Sequence, residues 1–71
     1  MKEIFIKEEF IRLDSALKFS GVIGTGGQAK MVIQEGLVLV NGQVCTMRGK
    51  KLRNNDTVEF EDYKFVIKNE G

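Results

Sequence analysis

The rhythm of the chain changes at Gly36, and that change sets the class of fold. Before it, apolar residues recur at intervals of three and four. After it, Leu37-Val38-Leu39-Val40 and Gln43-Val44-Cys45-Thr46 are two β-rich runs joined by Asn41-Gly42. Asn-Gly between such runs is the strongest short-range hairpin signal, because a two-residue turn needs the positive φ that Gly adopts freely and Asn tolerates. Helical periodicity followed by hairpins reads as an α+β fold rather than as alternating βαβ units.

The remaining elements follow from the same reasoning. Glu3-Ile4-Phe5-Ile6-Lys7 is a short β-favouring run, expected at a sheet edge. From Phe10, the residues Phe10, Leu13, Ala16, Leu17 and Ser20 mark one face of a first helix that ends at Gly21. Val22-Ile23-Gly24 turns the chain. Thr25 and Gln28 match a capping box, which predicts a second helix starting at position 26 with Ala29, Val32 and Ile33 on its apolar face and Gly36 as its stop. Asn54-Asn55-Asp56 predicts a turn with Asn55 at positive φ. A second hairpin follows, Thr57–Phe60 and Tyr63–Ile67 around Glu61-Asp62. The expected architecture is a helical hairpin packed on a small, mostly antiparallel sheet. The aromatics Phe5, Phe10, Phe19, Phe60, Tyr63 and Phe65 are expected mostly in the core, apart from the cations. Cys45 is expected to be a small buried hydrophobe.

Size and composition narrow the function. A chain of 71 residues fits one domain, 1–71, which buries only about 60% of its unfolded surface and offers no deep enzyme cleft. With one cysteine and no histidine, it makes no intrachain disulfide, no Cys/His zinc site and no histidine general base. Asp14-Ser15 reads as polar helix surface rather than a nucleophilic pair. No catalytic residue, metal or cofactor is therefore expected. No apolar run approaches the roughly 18 residues of a membrane span, and the first nine residues are too acidic for a secretory signal. A cytoplasmic, non-membrane protein is the expectation.

The net charge of +1 conceals an uneven distribution. Residues 28–55 carry Lys30, Arg48, Lys50, Lys51 and Arg53 against Glu35 alone, whereas 56–71 are acidic and 1–27 balanced. Gly24-Thr25-Gly26-Gly27-Gln28-Ala29 satisfies G-x-G-x-x-A, but the segment before it is helical and too little chain follows for a dinucleotide-binding fold. It is not a P-loop either, since no Gly-Lys-Ser/Thr ends it. Two readings of the glycines stand: tight packing, or N–H groups of Gly26 and Gly27 held open for a phosphate one turn from Lys30. Arg48-Gly49-Lys50-Lys51-Leu52-Arg53, four cations in six residues, reads either as a solvated loop or as part of a continuous basic face with Lys30.

In order along the chain, Arg12-Leu13-Asp14-Ser15-Ala16-Leu17, Ala29-Lys30-Met31-Val32-Ile33-Gln34-Glu35-Gly36, Val38-Leu39-Val40-Asn41-Gly42 and the Asn55-Asp56 turn resemble the S4 RNA-binding domain. The pattern is R-L-D-x-x-L, then A-(R/K)-x-x-I-x-x-G, then V-x-V-N-G. Gly26–Lys30 together with Arg48–Leu52 looks most like the small stand-alone bacterial S4 proteins of the YbcJ/YaaA type, and the resemblance covers nearly the whole chain. It implies an S4-like αL motif whose RNA-binding surface is made by the start of helix two and the neighbouring loops. Lys30 takes the place of the family's helix-two cation and Arg12 that of its helix-one arginine. The sequence departs from the pattern at Gly26, where many S4 domains carry Arg or Lys, so a phosphate contact there falls to backbone N–H groups.

These readings combine into a non-catalytic module, expected as a monomer, that grips structured RNA, ribosomal or transfer RNA included. The residues implicated are Arg12, Thr25, Gly26, Gly27, Gln28, Lys30, Arg48, Lys50, Lys51 and Arg53. The alternative is a protein-interaction module that docks its basic face on an acidic partner.

Overall fold

The computed structural model describes residues 1–70; Gly71, the last residue of the expected domain, lies outside the described residues. In chain order the elements are β1 (Lys2–Ile6), β2 (Ile11–Arg12), α1 (Leu13–Phe19), α2 (Gly26–Gln34), β3 (Val38–Val40), β4 (Gln43–Val44), β5 (Lys51–Leu52), β6 (Thr57–Phe60) and β7 (Tyr63–Asn69). Five strands form one sheet in the order β1-β7-β6-β3-β4, while β2 and β5 form a separate two-stranded ribbon. Every pairing is antiparallel except β1 with β7, where Lys2 lies opposite Phe65 and Ile6 opposite Asn69. The architecture is therefore the expected α+β one, a helical hairpin on a mostly antiparallel, S4-like sheet, with β1 at its edge. Among the described residues no helix is long and apolar enough to cross a membrane.

Strand alternation explains how one face of the sheet becomes the core. Ile4 and Ile6 of β1, Phe65 and Ile67 of β7, Val58 of β6, and Val38 and Val40 of β3 are buried. They form one cluster with Leu13, Ala16 and Leu17 of α1, Ala29 and Ile33 of α2, Ile23 of the interhelical turn and Leu52 of β5. Each fully buried aliphatic side chain contributes about 1.5–3 kcal/mol relative to exposure. Both helices stop where glycine takes positive φ, Gly21 at 83° and Gly36 at 77°. At Gly36 the N–H groups of Gly36 and Leu37 donate to the carbonyls of Ile33 and Val32, the Schellman arrangement that satisfies the last helical acceptors.

The turns behave as their residues require. Asn41 and Gly42 both have positive φ, 52° and 83°, and Val40 pairs with Gln43 across them, as a type I′ hairpin demands. Asn55 is also at positive φ, 75°, and Glu61 takes 56° in the two-residue link between Phe60 and Tyr63.

Three expectations need correction. Helix α1 begins at Leu13, not Phe10, because Ile11 and Arg12 pair with Leu52 and Lys51 in the ribbon. A local periodicity cannot register that distant strand. Segment 48–53 is accordingly not all loop, since Lys51-Leu52 is strand. The aromatics, finally, are mostly not core. Phe65 is buried and Phe10 and Phe60 are half-buried, but Phe5, Phe19 and Tyr63 are exposed, because aliphatic side chains already fill so thin a core. Cys45 is half-buried, packed against the cluster rather than inside it.

Burial sets the stability of single variants. Leu17→Ala, at a fully buried position, lowers the unfolding free energy by about 2–5 kcal/mol. Met31→Ala, on the exposed side of α2, changes it by less than about 0.5 kcal/mol. Urea unfolding followed by circular dichroism measures both.

Candidate nucleic-acid interface

The first turn of a helix leaves N–H groups without intrahelical partners, and α1 has no side-chain cap of the usual kind, since its N-cap residue is Arg12. The basic segment satisfies them instead. Leu13 N–H donates to the Lys50 carbonyl at 2.9 Å and Asp14 N–H to the Arg48 carbonyl at 3.0 Å. Ser15 N–H donates to Asp14 Oδ1 at 2.8 Å. The loop is closed upon itself by Lys50 N–H to the Met47 carbonyl at 3.1 Å. Its backbone is thus spent on the helix, while the side chains of Arg48, Lys50, Lys51 and Arg53 are exposed.

The ribbon gathers further groups. Lys51 lies directly opposite Arg12, a like-charge juxtaposition that is unfavourable alone. Arg12 Nη2 is held 3.1 Å from Asp14 Oδ2, which relieves it. A Cβ built on Gly49 would stand 3.9 Å from Arg12 Nε and Nη2, so the guanidinium lies against the loop. Phe10 organises the other side. Lys51 Nζ is 4.9 Å and Arg53 Cζ 5.7 Å from the centroid of its ring, within range of cation–π attraction. The aromatic and basic residues therefore do interleave here, contrary to the expectation from spacing. Arg53 is in addition paired with Glu9 Oε1 at 2.8 Å. Among the described residues, Lys30, Arg48, Lys50 and Lys51 have no ion pair.

At the start of α2, Thr25 Oγ1 accepts from Gln28 N–H at 3.1 Å and the Thr25 carbonyl accepts from Ala29 N–H. That is the first half of the expected capping box. Thr25, Gly26, Gly27, Gln28 and Lys30 are all exposed. Apart from their chain neighbours and the backbone of α2 itself, no heavy atom lies within 4 Å of a Cβ built on Gly26 or Gly27, and neither has positive φ. Tight packing therefore does not account for these two glycines, unlike Gly21, Gly36 and Gly42, whose φ values require the residue.

Helix pair, hairpin, capped basic loop and ribbon occur together in a sequence whose residues 4–68 match the S4 domain profile. The chain belongs to the S4 domain family. A protein of Bacillus subtilis (strain 168) named "Probable ribosome maturation protein RlbA" is 43% identical to it over 60 residues, 84% of either chain.

In this S4 domain the ten residues singled out from sequence fall into two groups. Arg12, Arg48, Lys50, Lys51 and Arg53 meet around the first turn of α1 and the β2–β5 ribbon. Thr25, Gly26, Gly27, Gln28 and Lys30 form the opening of α2, which packs against α1. Among the described residues no hydrogen bond or ion pair joins the two groups. Sequence reasoning missed Glu9 and Phe10, which hold Arg53 and Lys51. It also missed the second role of Asn41, whose Nδ2 donates to Asp56 Oδ1 at 3.0 Å while its Oδ1 accepts from Thr57 N–H at 2.9 Å. Asp56 Oδ2 in turn accepts from Arg53 N–H at 2.7 Å, tying the β3–β4 turn to the end of the basic segment. Only the alternation of Glu9-Phe10 with basic residues in three dimensions could have revealed this cluster.

The open glycines of α2 give a direct test. Because Ala fits at Gly27 without contact or positive φ, Gly27→Ala raises the unfolding free energy by about 0.5–1 kcal/mol, measured in urea. An unchanged or lowered stability would mean that the site is strained in a way the backbone does not show.

Proposed function

We propose that this S4 domain is a non-catalytic RNA-binding module of the cytoplasm that grips structured RNA, ribosomal RNA in the first place. The observation that carries the reading is the capped basic loop: its backbone is committed to α1, while Arg48, Lys50 and Lys51 remain exposed and without ion pairs. A solvated loop needs no such anchoring, whereas phosphate contacts benefit from cations held in place. Lys30 and the exposed N–H groups of Gly26 and Gly27 form the second half of the grip, at the positive end of the α2 dipole. The name of the B. subtilis relative, a probable ribosome maturation protein, supports ribosomal over transfer RNA. Arg12 and Arg53, paired with Asp14 and Glu9, act as positioning cations more than as phosphate ligands.

Four unpaired cations predict the salt dependence. If Lys30, Arg48, Lys50 and Lys51 each neutralise one phosphate, log K for a structured ribosomal RNA fragment falls with log salt at a slope of about −2.8 to −3.6. Combined Lys30→Ala, Lys50→Ala and Lys51→Ala substitution reduces that slope to about −1 while the circular dichroism spectrum is retained. A flat salt response of the unsubstituted protein would overturn the mechanism. Capture of an acidic protein that persists after RNase treatment would instead favour docking on a protein partner.

The Glu9 pair makes a second, opposite-signed prediction. Glu9→Gln removes the carboxylate that occupies Arg53 and raises RNA affinity about two- to fivefold at low salt, the range of an exposed ion pair. Fluorescence anisotropy on the same RNA measures it.

A further inference from the structure

Beside the capped basic loop lies a cavity of about 250 Å³ that shares only Lys50 with the phosphate grip. It opens along β4 at the edge of the five-stranded sheet, between the β3–β4 hairpin and residues 45–50. Val40, Val44, Cys45 and Met47 line it together with Asn41, Gln43 and Lys50, so polar and apolar groups share its lining about equally. The volume is below the roughly 300 Å³ at which sites for drug-sized ligands begin, so a single flat group is the appropriate occupant.

The polar groups of this cavity are free to read such an occupant. Among the described residues the Gln43 amide makes no hydrogen bond, so both its donor and its acceptor are available. The Asn41 side chain is oriented by Asp56 and Thr57, which leaves one N–H of its amide unspent. Val44 lies in the pair Leu39↔Val44 next to the hydrogen-bonded pair Val40↔Gln43; in an antiparallel ladder its backbone N–H and carbonyl then face away from β3. Met47 and Val44 are largely exposed although apolar, which leaves wall area for a planar ring to cover.

From the juxtaposition of this half-apolar cavity, with Asn41 and Gln43 in its lining, and Lys50 of the basic loop, we infer that it takes one unpaired base of the bound RNA, splayed from a bulge or internal loop. The inference rests on the RNA-binding reading above and deepens it. Lys50 is the hinge of the argument, because it belongs to both sites: its ammonium contacts the phosphate of the nucleotide whose base enters the cavity. A uniform A-form duplex cannot supply that base, since its bases are stacked and its deep groove is closed to side chains; bulges and loops can. The amides face the hydrogen-bonding edge of the base, and the apolar walls cover its faces.

Cys45, the chain's one cysteine, lines the cavity and reports on its occupancy. The experiment compares a perfect RNA duplex with the same duplex carrying one bulged nucleotide, at equal salt, by anisotropy and by the rate of Cys45 alkylation with a maleimide. The expected result is about tenfold tighter binding of the bulged RNA, within the range for burying one base, and slowed alkylation with saturating bulged RNA but not with duplex. Gln43→Ala and, independently, Met47→Ala, both at exposed positions, abolish the preference and leave duplex affinity unchanged. Equal affinity for the two RNAs with equal alkylation rates overturns the cavity's assignment while the phosphate grip stands. Failure of the unsubstituted protein to bind either RNA overturns both.

Discussion

The exposed face of this protein depends on how one short helix is capped. Helix α1 has seven residues and no side-chain acceptor at its N-cap, so its first N–H groups are orphans unless something else reaches them. Lys50 and Arg48 reach them with main-chain carbonyls. Each such bond contributes modestly by itself, but leaving the donors unpaired at the edge of the core would cost about 1–3 kcal/mol apiece. Cap and basic loop are consequently one object. The positive end of the helix dipole then lies beside Arg12, Arg48 and Lys50, which is unfavourable within the protein and is offset by Asp14 in the first turn. For an incoming anion the same fields add.

The sheet and the ribbon set the distances around that cap. Leu52 is fully buried in the common cluster, so the ribbon is pinned to the core at the residue next to Lys51. Phe10 and Glu9 hold Lys51 and Arg53 from the other side, and Asn41 with Asp56 fastens the end of the segment to the β3–β4 turn. The cations project from a frame anchored at each end. Long side chains on a loose loop would lose much more rotamer freedom on contact with a ligand.

What the sequence disclosed and what it withheld divide along one physical line. Features set by a few adjacent residues were legible: the Thr25 cap, the Gly36 stop, the Asn41-Gly42 hairpin, positive φ at Asn55, and the motif order of the S4 family. Features set by distant pairing were not. Ile11 and Arg12 lie inside the segment whose helical rhythm starts at Phe10, yet Leu52 and Lys51, some forty positions on, draw them into strand. The same ribbon brings Phe10 under two cations that spacing along the chain keeps apart from it. The glycines at 26 and 27 show the converse case. Sequence left packing and anion binding as equal readings, and the empty space around them removes the first.

The parallel pairing of β1 with β7 has a consequence for how the chain acquires its shape. The strand partner of residues 2–6 is the segment 65–69, and Asn69 Nδ2 and Glu70 N–H close the seam on the carbonyls of Glu8 and Ile6. Until that last strand has been synthesised, Ile4 and Ile6 have no sheet to bury them and β1 remains an unpaired apolar edge. The helical hairpin and the Asn41-Gly42 turn rest on local contacts that form early, whereas closing β1 requires the longest loop in the molecule. By sequence separation, the pairing of β1 with β7 is the costliest contact of the described fold to close.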